Sequence, residues 1–206
     1  MLFDLFISAF ATLFVVIDPP GCAPIYAGLT ARFDAAHKRA MAIRACVVAG
    51  AILLFFALLG QRLLSALHIG LDAFRIAGGI MLFLIALDMV FEKRTQRREQ
   101  RAEQVLADPA QEDVSIFPMA MPMLAGPGAI ATVMLLQSNA SGVQGTLVVL
   151  AALALVLAMT LGALLAAGPL MKAVGPRFEA VLTRLLGVLL AALAAQYVID
   201  GLNGAF

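Results

Sequence analysis

The chain has 206 residues, of which 63% are hydrophobic and only 13% charged, with a net charge of +1 and a mean hydropathy of +0.99. An ordinary soluble domain carries roughly a quarter charged residues, so a water-soluble globule is excluded and the solvent is lipid. The net charge says nothing about nucleic acid, but no basic cluster pairs with aromatics, so no nucleic-acid partner is expected, while Cys22 and Cys46, both in apolar stretches, suggest neither a disulfide framework nor a metal site.

In lipid every backbone polar group must be paired internally, which leaves helices or a closed barrel. A barrel would show stretches of about ten residues alternating apolar and polar; this sequence has long unbroken apolar runs, so it is all-α. A spanning helix needs about 20 apolar residues. Six segments qualify: 3–30, 40–60, 71–91, 115–138, 145–168 and 180–202. The start, Met1-Leu2-Phe3-Asp4, lacks the basic region of a cleavable signal and is expected to remain as part of span one.

Span one is interrupted by Asp18-Pro19-Pro20-Gly21, with Pro24 just beyond. Proline removes a backbone donor and clashes with the preceding turn, so a break is expected there. Asp18 before Pro19 suits a helix N-cap followed by proline at the first helical position, a role compatible with ligand binding. The next joint and its flank carry Arg32, Lys38, Arg39 and Arg44. Span three carries Arg75 and Asp88. Residues 93–114, with Lys93, Arg94, Arg97, Arg98 and Arg101 beside several acids, read as a solvated cytoplasmic linker between residues 1–92 and 115–206, each with three spans. Span four repeats the interruption of span one at Ala125-Gly126-Pro127-Gly128, preceded by Pro118 and Pro122. A joint over Pro169–Glu179 contributes Lys172 and Arg177, and span six carries Arg184 and Asp200.

Positive residues concentrate at the first, third and fifth joints, which places those joints in the cytoplasm and both termini outside, in the periplasm of an inner-membrane protein. The halves also resemble each other. Pro20-Gly21 lies 55 residues before Arg75 and Pro127-Gly128 lies 57 before Arg184, and each arginine is followed at the third position by glycine, Gly78 or Gly187. Three spans per half is an odd number, so the second copy is expected to be inverted, a plan with its site at the repeat interface near the midplane. Small residues Gly187, Ala191 and Ala195, with Gly78 and Gly79, permit close helix approach.

Broken backbone at membrane depth persists where it is buried in protein or lines a wet cavity. The expected substrate site is therefore Asp18, Pro19, Pro20 and Gly21 facing Gly126, Pro127 and Gly128. Helix N-termini bind anions; with Asp18 filling its own helix end, the 126–128 amides stay open. That pattern suits a small zwitterion, its ammonium near Asp18 and its carboxylate near Gly126 to Gly128. Because spans three and six run oppositely, Arg75 is expected level with Asp200 and Arg184 level with Asp88, as ion pairs that gate the two faces. Interfacial snorkelling of these four charges is the alternative.

Phe74-Arg75-Ile76-Ala77-Gly78-Gly79-Ile80 resembles the signature of the MarC family, also called the neutral amino acid transporter family. The segment from Met121-Pro122 through Gly126-Pro127-Gly128, the Asp18-Pro19 break, and Arg184-Leu185-Leu186-Gly187 with Gln196 to Gly201 resemble further parts of that family, in order along nearly the whole chain. The resemblance implies a six-span inner-membrane protein, similar to the wider LysE-type exporters, and a secondary transporter of small neutral amino acids such as alanine and glycine. It also implies Asp or Asn at position 18, which argues against a proton-carrying role there. An exporter of cations or of another metabolite, and a non-transporting membrane scaffold or regulator, remain as alternatives; no catalytic motif supports an enzyme. No cofactor is implied, and a proton or sodium ion stands open as the coupling ion. The lipid bilayer is the only macroscopic partner, with a homo-oligomer left open.

Overall fold

A computed structural model describes residues 2–106 and 113–206, side chains at 105, 106 and 170–179 excepted. All regular structure among the described residues is helical: α1 (Leu2–Ile17), α2 (Pro19–Leu29), α3 (Ala35–Ala66), α4 (Leu71–Val90), α5 (Lys93–Leu106), an irregular wide-turn segment (Ser115–Leu124), α6 (Pro127–Ser138), α7 (Gly142–Leu165) and α8 (Ala167–Ala205). Five helical stretches are long and apolar enough to cross a membrane, counting α1 with α2 as one, and the Ser115–Leu124 segment with α6 makes a sixth, bent by 52°. The spans fall where hydropathy put them.

Two boundaries differ from expectation. The Pro169–Glu179 joint is helical, as α8 runs from Ala167 to Ala205 without interruption of its backbone; Lys172 and Arg177 lie outside the described side chains, so their contribution to orientation stays an expectation. Residues 93–106 of the supposed linker form α5, which packs against α2, α4 and the Ser115–Leu124 segment; residues 107–112 of that linker lie outside the described part.

Local chemistry explains the elements. Asp34 caps α3 by accepting from the His37 amide at 2.7 Å. Span four loses helical geometry at Phe117 and Met121, which are extended, each before a proline, and both Pro118 and Pro122 follow cis bonds; a residue before proline is driven out of the helical region.

The packing has one feature that bears on function. α4 lies against α8, α1 and α2 against α7, and α3 against the Ser115–Leu124 segment and α6. Exchanging the first three spans for the last three returns the same set of pairs. α4 and α8 run antiparallel: Gly201 sits over Asp72 and Ile76, Gly79 over Ala194 and Val198, and Gly187 over Ala86 and Met89. A Cβ at Gly79 would lie 2.8 Å from the Ala194 carbonyl oxygen, so glycine is what lets these two backbones meet. Gly78 instead faces Leu135 of α6, and Ala194 rather than Ala195 is buried in the seam.

Candidate functional site

The first break is closed by the chain's own groups. Asp18 adopts φ 60°, ψ 65°, a left-handed conformation in which Asp and Asn are over-represented. Its Oδ1 accepts from the Gly21 amide at 3.1 Å, capping α2 as the sequence implies. A Cβ on Gly21 would stand 2.3 Å from that carboxylate, so the residue must be glycine. Pro20 has no N–H for the Val16 carbonyl one turn back, and the orphaned oxygen accepts instead from Arg94 Nη2 at 2.5 Å. An arginine at the carbonyl end of α1 also complements its dipole.

Asp18 is 1% exposed. Its Oδ2 accepts from Arg98 Nη1 at 2.8 Å, and Arg98 is itself only 6% exposed. Arg97, on the same helix, pairs with Asp88 of α4. α5 is therefore no solvated linker along its inner face: Arg94, Arg97 and Arg98 tie it to α1, α4 and the first break. Burial foremost, then the adjacent charge of Arg98, lower the Arg94 guanidinium to about 10.

The second break is left open. Gly126 is the N-cap of α6 and offers no side-chain acceptor, and Pro127 occupies the first helical position. The first-turn amides of a helix have no partner within it. Here they face a cavity of about 420 Å³ whose walls include Gly126, Gly128 and Ala129. Val16 and Ile85 supply apolar surface, and Asp88 with Arg94, Arg97, Arg98 and Arg101 supplies the charge. The arrangement holds an anionic group well, since helix N-termini and arginine forks converge on one space. Among the described residues no cluster of His, Cys, Asp and Glu is fit to hold a metal ion. A larger cleft of about 550 Å³, beside Lys38 and Arg39 and the α7–α8 joint, contains none of the residues expected to bind substrate or to gate.

The expected site residues are thus brought together in part. Gly126, Pro127 and Gly128 line the cavity; Pro19, Pro20 and Gly21 do not, and Asp18 lies behind Arg98 rather than on the cavity wall. Of the four charges expected to gate, neither cross pair forms. Arg75 bonds Asp72 at 3.0 Å and Asn139 at 3.0 Å, whereas Asp200 accepts from Gln196 at 2.7 Å. Arg184 pairs with Glu92 at 2.5 Å, one turn beyond Asp88. The depth was right and the azimuth was not: Gly201 lies against the Arg75 Cβ, while neighbouring Asp200 points outward. Asp88 gains a different place, as the acid on the cavity wall. The arginines of α5 were missed as site residues. Their signal was present, because Arg94, Arg98 and Arg101 recur at the spacing of one helix face.

A bundle of spanning helices, with an interrupted helix whose N-terminal turn lines a half-open cavity bearing four arginines, defines a polytopic integral membrane protein. The model of the MarC family, described as "MarC family integral membrane protein", matches residues 3–206, and the chain belongs to that family. It is 36% identical over 203 residues to the UPF0056 membrane protein MJ1677 of Methanocaldococcus jannaschii, covering 97% of each chain. It is 32% identical over 206 residues to the UPF0056 membrane protein YvbG of Bacillus subtilis, covering 100% of this chain and 98% of the relative. It is also 32% identical over 197 residues to the UPF0056 inner membrane protein YhgN of Escherichia coli, covering 96% and 95%. No solved structure matches it.

Proposed function

We propose that this protein is a secondary transporter of a small neutral amino acid of the alanine or glycine type, working by alternating access about the cavity beside α6. The observation that carries the reading is the uncapped N-terminus of α6 at the wall of a half-open, largely apolar cavity that also bears four arginines and Asp88. An α-carboxylate suits those amides, and the space is within the range of small-molecule sites. The packing symmetry between the halves supports two equivalent arrangements, one open to each side, as inverted repeats require. The arginine distribution favours α5 on the cytoplasmic side and both termini outside, and the name of the Escherichia coli relative agrees with an inner-membrane location. Four guanidiniums on the wall weigh against a cation exporter. The same four favour, as a second reading, a small organic anion.

The test is uptake of radiolabelled alanine and glycine by purified protein in proteoliposomes, with and without an imposed proton or sodium gradient. Uptake above that of protein-free liposomes, saturable and competed by the unlabelled amino acid, is expected. Equal uptake with and without protein under every gradient would end the proposal.

A further inference from the structure

Asp18 and Arg98 form a pair of opposite charges, both removed from water, whose two partners come from different elements: the break of span one and the inner face of α5. Arg98 lines the cavity and Asp18 lies directly behind it. A carboxylate arriving alone at Arg98 would displace Asp18 and leave a buried acid without its countercharge. An amine arriving alone at Asp18 would give Arg98 nothing in exchange. A molecule carrying both groups on adjacent atoms satisfies both ends at once.

Resting on the transport reading above, we infer that the Arg98–Asp18 pair is a closed zwitterion site: the solute inserts between them, its carboxylate taking Arg98 and its ammonium taking Asp18. One ion pair is exchanged for two, and no charge is left bare. This restores the ammonium role that the sequence suggests for Asp18, in a state other than the one with the pair closed. It also assigns α5 a part in transport. Two charge-assisted hydrogen bonds of about 2.8 Å in series cannot fit in the present gap of 2.8 Å, so admission of the solute moves Arg98, and α5 with it, outward by several ångströms. Further ties hold α5 in place, among them Arg94 to the Val16 carbonyl and to Met89 Sδ and Arg97 to Asp88, so insertion strains or breaks them. Solute binding and displacement of the α5 wall are then one event.

Selectivity follows from the same exchange. A group that strands one member of a buried pair binds about a hundredfold or more weaker. Wild-type protein is therefore expected to bind alanine at least about a hundredfold better than propionate, which lacks the ammonium, or alaninamide, which lacks the carboxylate.

The experiment is equilibrium binding of these three compounds to purified wild-type protein and to three variants. In Asp18→Asn propionate is expected to rise toward alanine, and in Arg98→Gln alaninamide is expected to do so. The double variant Asp18→Asn/Arg98→Gln buries neither charge alone, which protects its folding, and is expected to bind all three within about tenfold of each other. An unchanged ranking in the double variant, or in both single variants, overturns the inference. Failure of the two readings is separable. Protein that transports alanine but keeps one ranking through every variant retains the function and loses the zwitterion site. Protein whose ranking shifts as described but which moves no alanine in proteoliposomes keeps the site and loses the transport reading. Protein that binds none of the three compounds loses both.

Discussion

The energetic weight of the Asp18–Arg98 pair is open to direct measurement by a double-mutant cycle. Removing one partner of a buried ion pair costs about 3–5 kcal/mol. Arg98→Gln belongs at the low end, about 3 kcal/mol, because Asp18 keeps the Gly21 amide and the N-terminal end of α2, and Arg94 is near enough to act on it. Asp18→Asn keeps the cap and tolerates the positive φ, but it leaves the buried Arg98 guanidinium without its carboxylate, so it too costs about 3 kcal/mol. The double variant, which strands no charge, is expected to cost about 2 kcal/mol rather than the additive value of about 6, a coupling of about 4 kcal/mol. For a chain of this size 1 kcal/mol moves the unfolding midpoint by about 2–4 °C. Arg98→Gln should then fall by about 6–12 °C and the double variant by no more than about 4–8 °C. The chain has no tryptophan, but Cys22 and Cys46 are both buried thiols. A thiol-reactive fluorophore added to detergent-solubilised protein during a temperature ramp reports their exposure. Midpoint losses that simply add, within about 0.5 kcal/mol, would show that the two side chains do not depend on each other.

Three further outcomes follow from the packing. Gly79→Ala is expected to destabilise by about 1–3 kcal/mol through overpacking against the Ala194 carbonyl, whereas Gly162→Ala, with nothing within 4 Å of its new Cβ, should gain up to about 1 kcal/mol from helix propensity; the same thermal assay compares them. Gly128→Val drives its side chain into Ile85 at the cavity wall, whose Cδ1 would lie 2.3 Å from the new Cβ, and should cut amino-acid uptake by at least about tenfold, while Gly28→Ala, in open space, should leave it unchanged. Burial raises the Asp113 carboxyl, but hydrogen bonds from Ser115 and the charge of Arg44 outweigh it and hold the group below its ordinary value. A depressed acid stabilises above its unfolded pKa and loses that contribution as pH falls through the folded one. The stability difference between wild type and Asp113→Asn should accordingly be full at pH 7 and shrink below the ordinary carboxylate value of 3.8.

The spans and both breaks were legible because each rests on short-range causes. Apolar runs of bilayer length and prolines without an amide act within one or two helical turns, and the structure places helices and interruptions accordingly. The difference between the breaks was legible too. A carboxylate at position 18 and none at position 125 is a statement about residue types, and it becomes a capped α2 and an uncapped α6. The antiparallel course of α4 and α8 sets Arg75 level with Gly201 and Arg184 with Glu92, but it does not fix the partners expected from sequence. Periodicity fixes how far along a helix a side chain sits. Its direction around the axis, which sends Asp200 outward and leaves Arg75 with Asp72 and Asn139, depends on the packing of α4 against α8.

α5 was hidden for a different reason. A stretch as polar as Lys93–Leu106 has no face that lipid or an apolar core would accept, and hydropathy correctly says that it does not span. Its burial is driven by what the rest of the chain lacks. Pro20 leaves the Val16 carbonyl without a donor, and Asp18, needed to cap α2, leaves a carboxylate 1% exposed with one oxygen still to satisfy. Both deficits are anionic or acceptor in character, and both are met by arginines four residues apart on one turn of α5. A charged helix is thus drawn inward by the polar debris of a broken apolar one. The second break generates no such deficit, because Gly126 contributes no carboxylate and the unmet groups there are donors. Donors call for an anion, and α5 has spent its two nearest acid partners, Asp18 and Asp88, on its own arginines. The space before α6 is left for an acid that the chain does not supply.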